Sequence, residues 1–196
     1  MLPPLHGRVF LRCLAHNVRV RILCSCSDIN GRTSRGPVMS SASTRIAYET
    51  FVRDAAPVAA ALSAMSKAVD ASGLEKSLTE LLKIRASQIN GCAFCIQYHL
   101  NIAREKAVPR VKLDLVAAWH EAPESFSERE RAALAYTEAL SAKLHEGVSD
   151  ALYEDVARQF PGEQMAFLTA AVANINAWNR IAVALRFAPP VRDEAA

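Results

Sequence analysis

LEKSLTELLKIRASQINGCAFCIQYHLNI, residues 74–102, reads as two helices parted by a stop. Leu74, Leu78, Leu81, Leu82 and Ile84 recur at the spacing of one helix face, followed by Arg85. Asn90-Gly91 then interrupts, because such a pair favours left-handed backbone and ends helices. Near Cys92 a new helix begins, carrying Ile96, Leu100 and Ile102.

The same grammar extends in both directions. Upstream, from Ala56, Pro57 suits the start of a helix through Val58, Leu62, Met65 and Val69, with Gly73 as its stop. Downstream, Pro109 opens a helix holding Val111, Leu115, Val116 and Trp119. Ser127 and Glu130 read as a capping box for a helix through Leu134, Tyr136, Leu140 and Leu144. Ser149-Asp150 caps another, which Pro161 ends. The last, from about Glu163 to Phe187, is apolar over much of its surface, which predicts burial, with a subunit interface as one place for it. No segment alternates with period two, so the fold class is all-α.

The formal charge of +3 hints at nucleic acid, but its distribution removes the hint. Residues 1–38 hold six of the 23 basic residues and one of the 20 acidic ones, leaving 17 against 19 in residues 39–196. Neither a nucleic-acid footprint nor a bilayer-spanning apolar run is present. Residues 1–38 read as a disordered or mis-assigned upstream extension, with Met39 as the true start. An Arg-rich transit peptide is the competing reading. Cys13, Cys24 and Cys26 lie in that segment, whereas residues 39–196 keep only Cys92 and Cys95.

Two cysteines three apart do not make a disulfide framework; they read as a redox or metal pair. Residues 92, 95 and 99 are related by three and four positions, so Cys92, Cys95 and His99 share one helix face. Cys92 is expected in the first helical turn, where unpaired amides stabilise a thiolate. His99 can exchange protons near neutral pH. If the two helices fold back at Asn90-Gly91, Glu80 lies as far before the turn as His99 lies after it, and the two meet. A zinc site using these four residues, and buried structural cysteines, are the alternatives. His120 and His145 read as surface groups, and Arg85 as a partner for some nearby acid. Asn174, Asn176, Trp178, Asn179 and Arg180 form a polar patch in the last helix. Hydrogen bonding between helices is its first explanation, ahead of a substrate role.

Glu80, Cys92-x-x-Cys95 and His99, with SQINGCAFC at 87–95 and INAWNR at 175–180, resemble the core motif of the AhpD-like alkylhydroperoxidases of the carboxymuconolactone decarboxylase superfamily. The likeness spans about Arg45 to Phe187. It implies an AhpD-like helical domain over 39–196, assembling through its long apolar helices into a homotrimer or homohexamer. It further implies Cys95 as the peroxidatic and Cys92 as the resolving cysteine, with Glu80 and His99 relaying protons. No cofactor and no metal are implied. The partners would be a hydroperoxide and an external dithiol reductant, a lipoyl or thioredoxin-like protein, in a cytoplasmic setting without nucleic acid or membrane. The best-characterised branch has histidine where this chain has Phe94. A general thiol-disulfide oxidoreductase and a zinc-binding helical oligomer are the other functions in view.

Overall fold

The computed structural model describes residues 43–192, and the readings made of residues 1–38, including their three cysteines, lie outside these. All regular elements among the described residues are helical, in agreement with the sequence reading. They are α1 (Tyr48–Asp54), α2 (Ala56–Ala71), α3 (Lys76–Ile89), α4 (Ala93–Glu105), α5 (Arg110–Leu115), α6 (Glu128–Ala142), α7 (Asp150–Gln159) and α8 (Glu163–Leu185). After α5 the chain tightens into 3-10 turns over Val116–Glu121, bending at Ala118, and over Pro123–Ser125.

α3 is the central helix, packed against α4, α6 and α8. Every residue from Leu78 to Ile84 is buried, including the charged Glu80 and Lys83. One face, Leu78 and Leu82, joins Val69, Tyr136, Val156, Phe160, Leu168 and Val172 in the largest core cluster. Leu81 and Ile84 meet Ala103, Val116, Trp119, Phe126 and Leu134 in a second. A third cluster contains both cysteines, with Ala86, Ile175, Ala182 and Phe187. Much of the apolar surface of α8 is covered within the chain itself: Leu168, Ala171, Val172, Ile175 and Ala182 are all buried.

Local punctuation explains where the helices begin. Ser127 Oγ accepts the Glu130 amide at 3.2 Å, and the Ser127 amide donates to the Glu130 carboxylate at 2.8 Å. Both halves of the expected box are therefore present. Ser127→Ala is expected to cost about 1 kcal/mol, read as a shift in urea midpoint at unchanged slope. Ser149 Oγ likewise accepts the Leu152 amide and starts α7. α6 stops at Ala142, so Leu144 falls in the following 3-10 turn rather than in the helix. α1 was not foreseen. Seven residues are too few to show a period, and none of them is buried.

The turn between α3 and α4 is the joint that builds the site. Asn90 caps α3, and Gly91 follows at φ +66. A Cβ at Gly91 would meet nothing within 4 Å, so Gly91→Ala isolates backbone strain. The expected loss is about 1 kcal/mol in chemical denaturation. Asn90 Nδ2 donates to Asn176 Oδ1 and Asn179 Oδ1, both at 2.9 Å, which pins the turn to α8.

Candidate active site

α3 and α4 fold back antiparallel at this turn, and Glu80 and His99 do meet. His99 Nδ1 lies 2.6 Å from Glu80 Oε2. Lys83 Nζ donates to Glu80 Oε1 at 2.9 Å, and Lys76 Nζ stands 3.1 Å from the same oxygen. Burial alone would raise the Glu80 carboxyl, but His99, then Lys83 and Lys76, overcome this and hold it at about 2. Glu80 is thus an anion, and an anion only accepts, so His99 Nδ1 carries the hydrogen. For His99 itself, burial outweighs the pull of Glu80 and depresses the imidazole below its ordinary value. The ring is neutral at pH 7, with Nε2 left as an acceptor.

Both thiols are free and buried. Cys92 sits one position earlier than expected, as the N-cap of α4, where its Sγ accepts the Cys95 amide at 3.3 Å. The hydrogen bond from the Cys95 thiol lowers Cys92 against the effect of burial, and the Cys95 amide and Asn179 add to this. Cys95 moves the opposite way, raised by its bond to Cys92, by burial and by the Cys92 charge. The hydrogen bond from the Cys95 thiol to the Cys92 sulfur therefore favours negative charge on Cys92 over Cys95.

Cys95 and His99 open on a common cavity of about 290 Å³. Its aromatic side consists of Tyr48, Phe94, Tyr98 and Trp178, and its polar side includes Ser63, Lys67 and Lys83. Phe94 stacks toward Tyr98, and its centroid lies 5.0 Å from that of Tyr48 and 5.3 Å from that of Phe187.

The family model for the carboxymuconolactone decarboxylases matches residues 56–139. YdfG, an uncharacterised Bacillus subtilis protein, is 36% identical over 121 residues, covering 62% of this chain and 82% of the relative. A crystal structure from Agrobacterium tumefaciens, of a protein of unknown function suggested to be the antioxidant defence protein AhpD, is 35% identical with a TM-score of 0.71. That alignment covers 76% of this chain and all of the other. The chain is an AhpD-like member of the carboxymuconolactone decarboxylase family. The debrominase Bmp8 shares the fold at 23% identity and a TM-score of 0.63, over 71% of this chain and 75% of that one.

In this AhpD-like chain the four residues singled out from the motif form two pairs, Glu80 with His99 and Cys92 with Cys95, and Cys95 and His99 line one cavity, while other parts of the site were not anticipated. Lys83 carries a signal that could have been read: a charge three residues after Glu80 within an apolar run. Tyr48 comes from the unforeseen α1. The polar patch of α8 does bond between helices, since Asn179 Nδ2 reaches Ser87 Oγ at 3.0 Å and Asn174 Nδ2 reaches Ser66 Oγ at 2.7 Å. Asn179 also touches the cysteine pair, and Asn174 and Trp178 line the cavity. His120 and His145 are exposed, and Arg85 pairs with Glu138 at 2.7 Å. Among the described residues no three His, Cys, Asp or Glu side chains gather as a metal site. No described helix is long and apolar enough to cross a membrane.

Proposed function

We propose that the chain is a thiol-dependent peroxidase, with alkylhydroperoxidase activity of the peroxiredoxin type, that reduces organic hydroperoxides through Cys92 and Cys95. The observation that carries this reading is the placement of Cys95 and the Glu80-bound His99 on the wall of one cavity that has an aromatic side and a polar side. Such a cavity accepts an alkyl or aryl group and presents a sulfur and a base to its polar end.

In this mechanism Cys95 is the peroxidatic residue. Neutral His99 takes the Cys95 proton through Nε2, while Glu80 stabilises the imidazolium. Cys95 sulfur attacks the terminal peroxide oxygen; the S–O bond forms as the O–O bond breaks. Two electrons pass from sulfur to the peroxide. The departing alkoxide takes the proton from His99 and leaves as alcohol. The Cys92 thiolate then attacks the Cys95 sulfenic sulfur, closing the disulfide and expelling hydroxide, which solvent protonates to water. An external dithiol, on a lipoyl or thioredoxin-like protein, returns both thiols. Assembly as a homotrimer or homohexamer and a cytoplasmic setting belong to the same proposal. The lowered Cys92 also suits a general thiol-disulfide oxidoreductase with little peroxide activity. A zinc-binding role finds no ligand set among the described residues.

The test is peptide-resolved thiol titration of metal-free protein before and after one equivalent of cumene hydroperoxide. The expected result is loss of both thiols and a Cys92–Cys95 disulfide by mass spectrometry. Persistence of both thiols, with rapid reaction toward a small disulfide, would establish the oxidoreductase reading instead.

A further inference from the structure

The two oxygens of Glu80 have different partners. Oε2 is bound to His99 Nδ1 at 2.6 Å. Oε1 is shared by two ammoniums, Lys83 Nζ at 2.9 Å and Lys76 Nζ at 3.1 Å. Lys76, the first residue of α3, also reaches back to Asp70 near the end of α2, 2.7 Å from Oδ1 and 2.8 Å from Oδ2. Asp70, Lys76, Glu80 and Lys83 thus form a continuous chain of alternating charge. It runs from a part-exposed carboxylate to the fully buried one beside His99.

A carboxylate alone against a histidine stabilises the imidazolium and draws a proton onto the ring. Here the chain of charges is already neutral, two carboxylates against two ammoniums. A proton on His99 would make a third cation around Glu80 and leave an unbalanced positive charge in a buried site. Burial opposes that proton most, Glu80 favours it, and Lys83 and Lys76 oppose it again. Lys76 keeps its own charge: burial would lower the ammonium, but Asp70 and Glu80 raise it above its ordinary value. The other titratable groups on the cavity that His99 lines are Tyr48 of α1, Lys67 of α2, and Cys95 and Tyr98 of α4. None is a carboxylate, and Lys67 adds a further positive charge. From α8 only neutral side chains line it.

We infer that Lys76 and Lys83 are positioning residues for the proton transfer: by occupying Oε1 they let Glu80 orient His99 through Oε2 without placing a proton on Nε2. The inference rests on the peroxidase reading for the use made of that base, which is to take the Cys95 proton. The charge on the ring is set with or without peroxide. Without the Lys76 ammonium, only Lys83 and the ring balance Glu80, and the imidazolium forms at higher pH. Nε2 then carries a hydrogen and cannot accept another. Because Lys76 and Asp70 are partly exposed, the state of a buried base is governed from the edge of the protein.

The ring and the reaction can be read separately on the reduced full chain. NMR of histidine-labelled protein follows the protonation of His99, whose signal is assigned by its loss in His99→Gln. Lys76→Met is expected to move the His99 midpoint up by about one pH unit. The acid limb of Cys95 oxidation by cumene hydroperoxide, read by peptide-resolved thiol loss, should move with it. Lys76→Arg should return both to the wild-type position. Asp70→Asn should move both the other way, because it leaves the Lys76 charge unbalanced. Opposite signs at two adjacent positions are a mark of charge that a merely structural role would not produce. A His99 midpoint that Lys76→Met leaves in place or lowers, or that Asp70→Asn raises, would overturn the inference. Midpoints that move as expected in a protein inert to peroxide would remove the peroxidase reading and leave the role of the two lysines standing.

Discussion

Cys95→Ser is expected to reduce peroxide-driven oxidation to background, roughly a thousandfold or more, while Cys92→Ser still consumes one equivalent of peroxide and stops at a sulfenic acid. The asymmetry follows from the helix start. Cys92 is the N-cap of α4, and serine is a better cap than cysteine, so Cys92→Ser keeps the turn in place. The same substitution removes the neighbour that raises Cys95, so the remaining thiol becomes more acidic and reacts readily. Dimedone labelling with mass spectrometry reads the outcome directly: adduct on Cys95 in Cys92→Ser, none in Cys95→Ser. Adduct on Cys92 in Cys95→Ser, formed at the wild-type rate, would reverse the assignment of the two sulfurs.

Glu80→Gln is expected to cost about 3 kcal/mol near neutral pH and to slow peroxide-driven oxidation about a hundredfold. Glu80 is fully buried and anchors three partners, so its loss leaves Lys83, itself 7% exposed, without a counter-charge. The carboxyl is held at about 2 in the fold, against an ordinary 4.5. A folded value below the unfolded one stabilises the protein above the unfolded value and ceases to do so as the pH falls through the folded one. Glu80's own part of the gap between wild type and Glu80→Gln should therefore be constant above about pH 5 and close between pH 4.5 and 2. His99, also depressed, adds a loss of wild-type stability that begins at higher pH, below its ordinary 6.5, because the unfolded ring protonates first. Urea melts at a series of pH values check both; a gap independent of pH would mean that Glu80 acts by shape and not by charge.

What the sequence revealed was local. Ser127 with Glu130, Ser149, Pro57 and Asn90-Gly91 announce helix ends, because each acts on backbone groups within a few residues. The convergence of Glu80 with His99 was legible for a related reason: a short turn forces antiparallel helices, and equal distances from the turn then meet. Cys92 was placed one position too deep in α4, the usual margin for a helix boundary. The cavity was not legible. Tyr48 lies on a seven-residue helix that owes its place to tertiary packing against Phe94 and Phe187, and no local period marks it.

The sulfur cap of α4 ties redox potential to fold stability. In the reduced chain, Cys92 Sγ satisfies the Cys95 amide, and the helix N-terminus favours its negative charge. A disulfide would discharge that sulfur and loosen the cap. Whatever free energy the helix gives to the thiolate, up to about 1 kcal/mol, is then subtracted from the oxidised form and makes the couple more oxidising by about 20 mV. The reduced protein should accordingly melt higher than the oxidised one as far as this cap is concerned. A mutation anywhere that frays the start of α4 would also shift the midpoint potential of a sulfur pair it never touches.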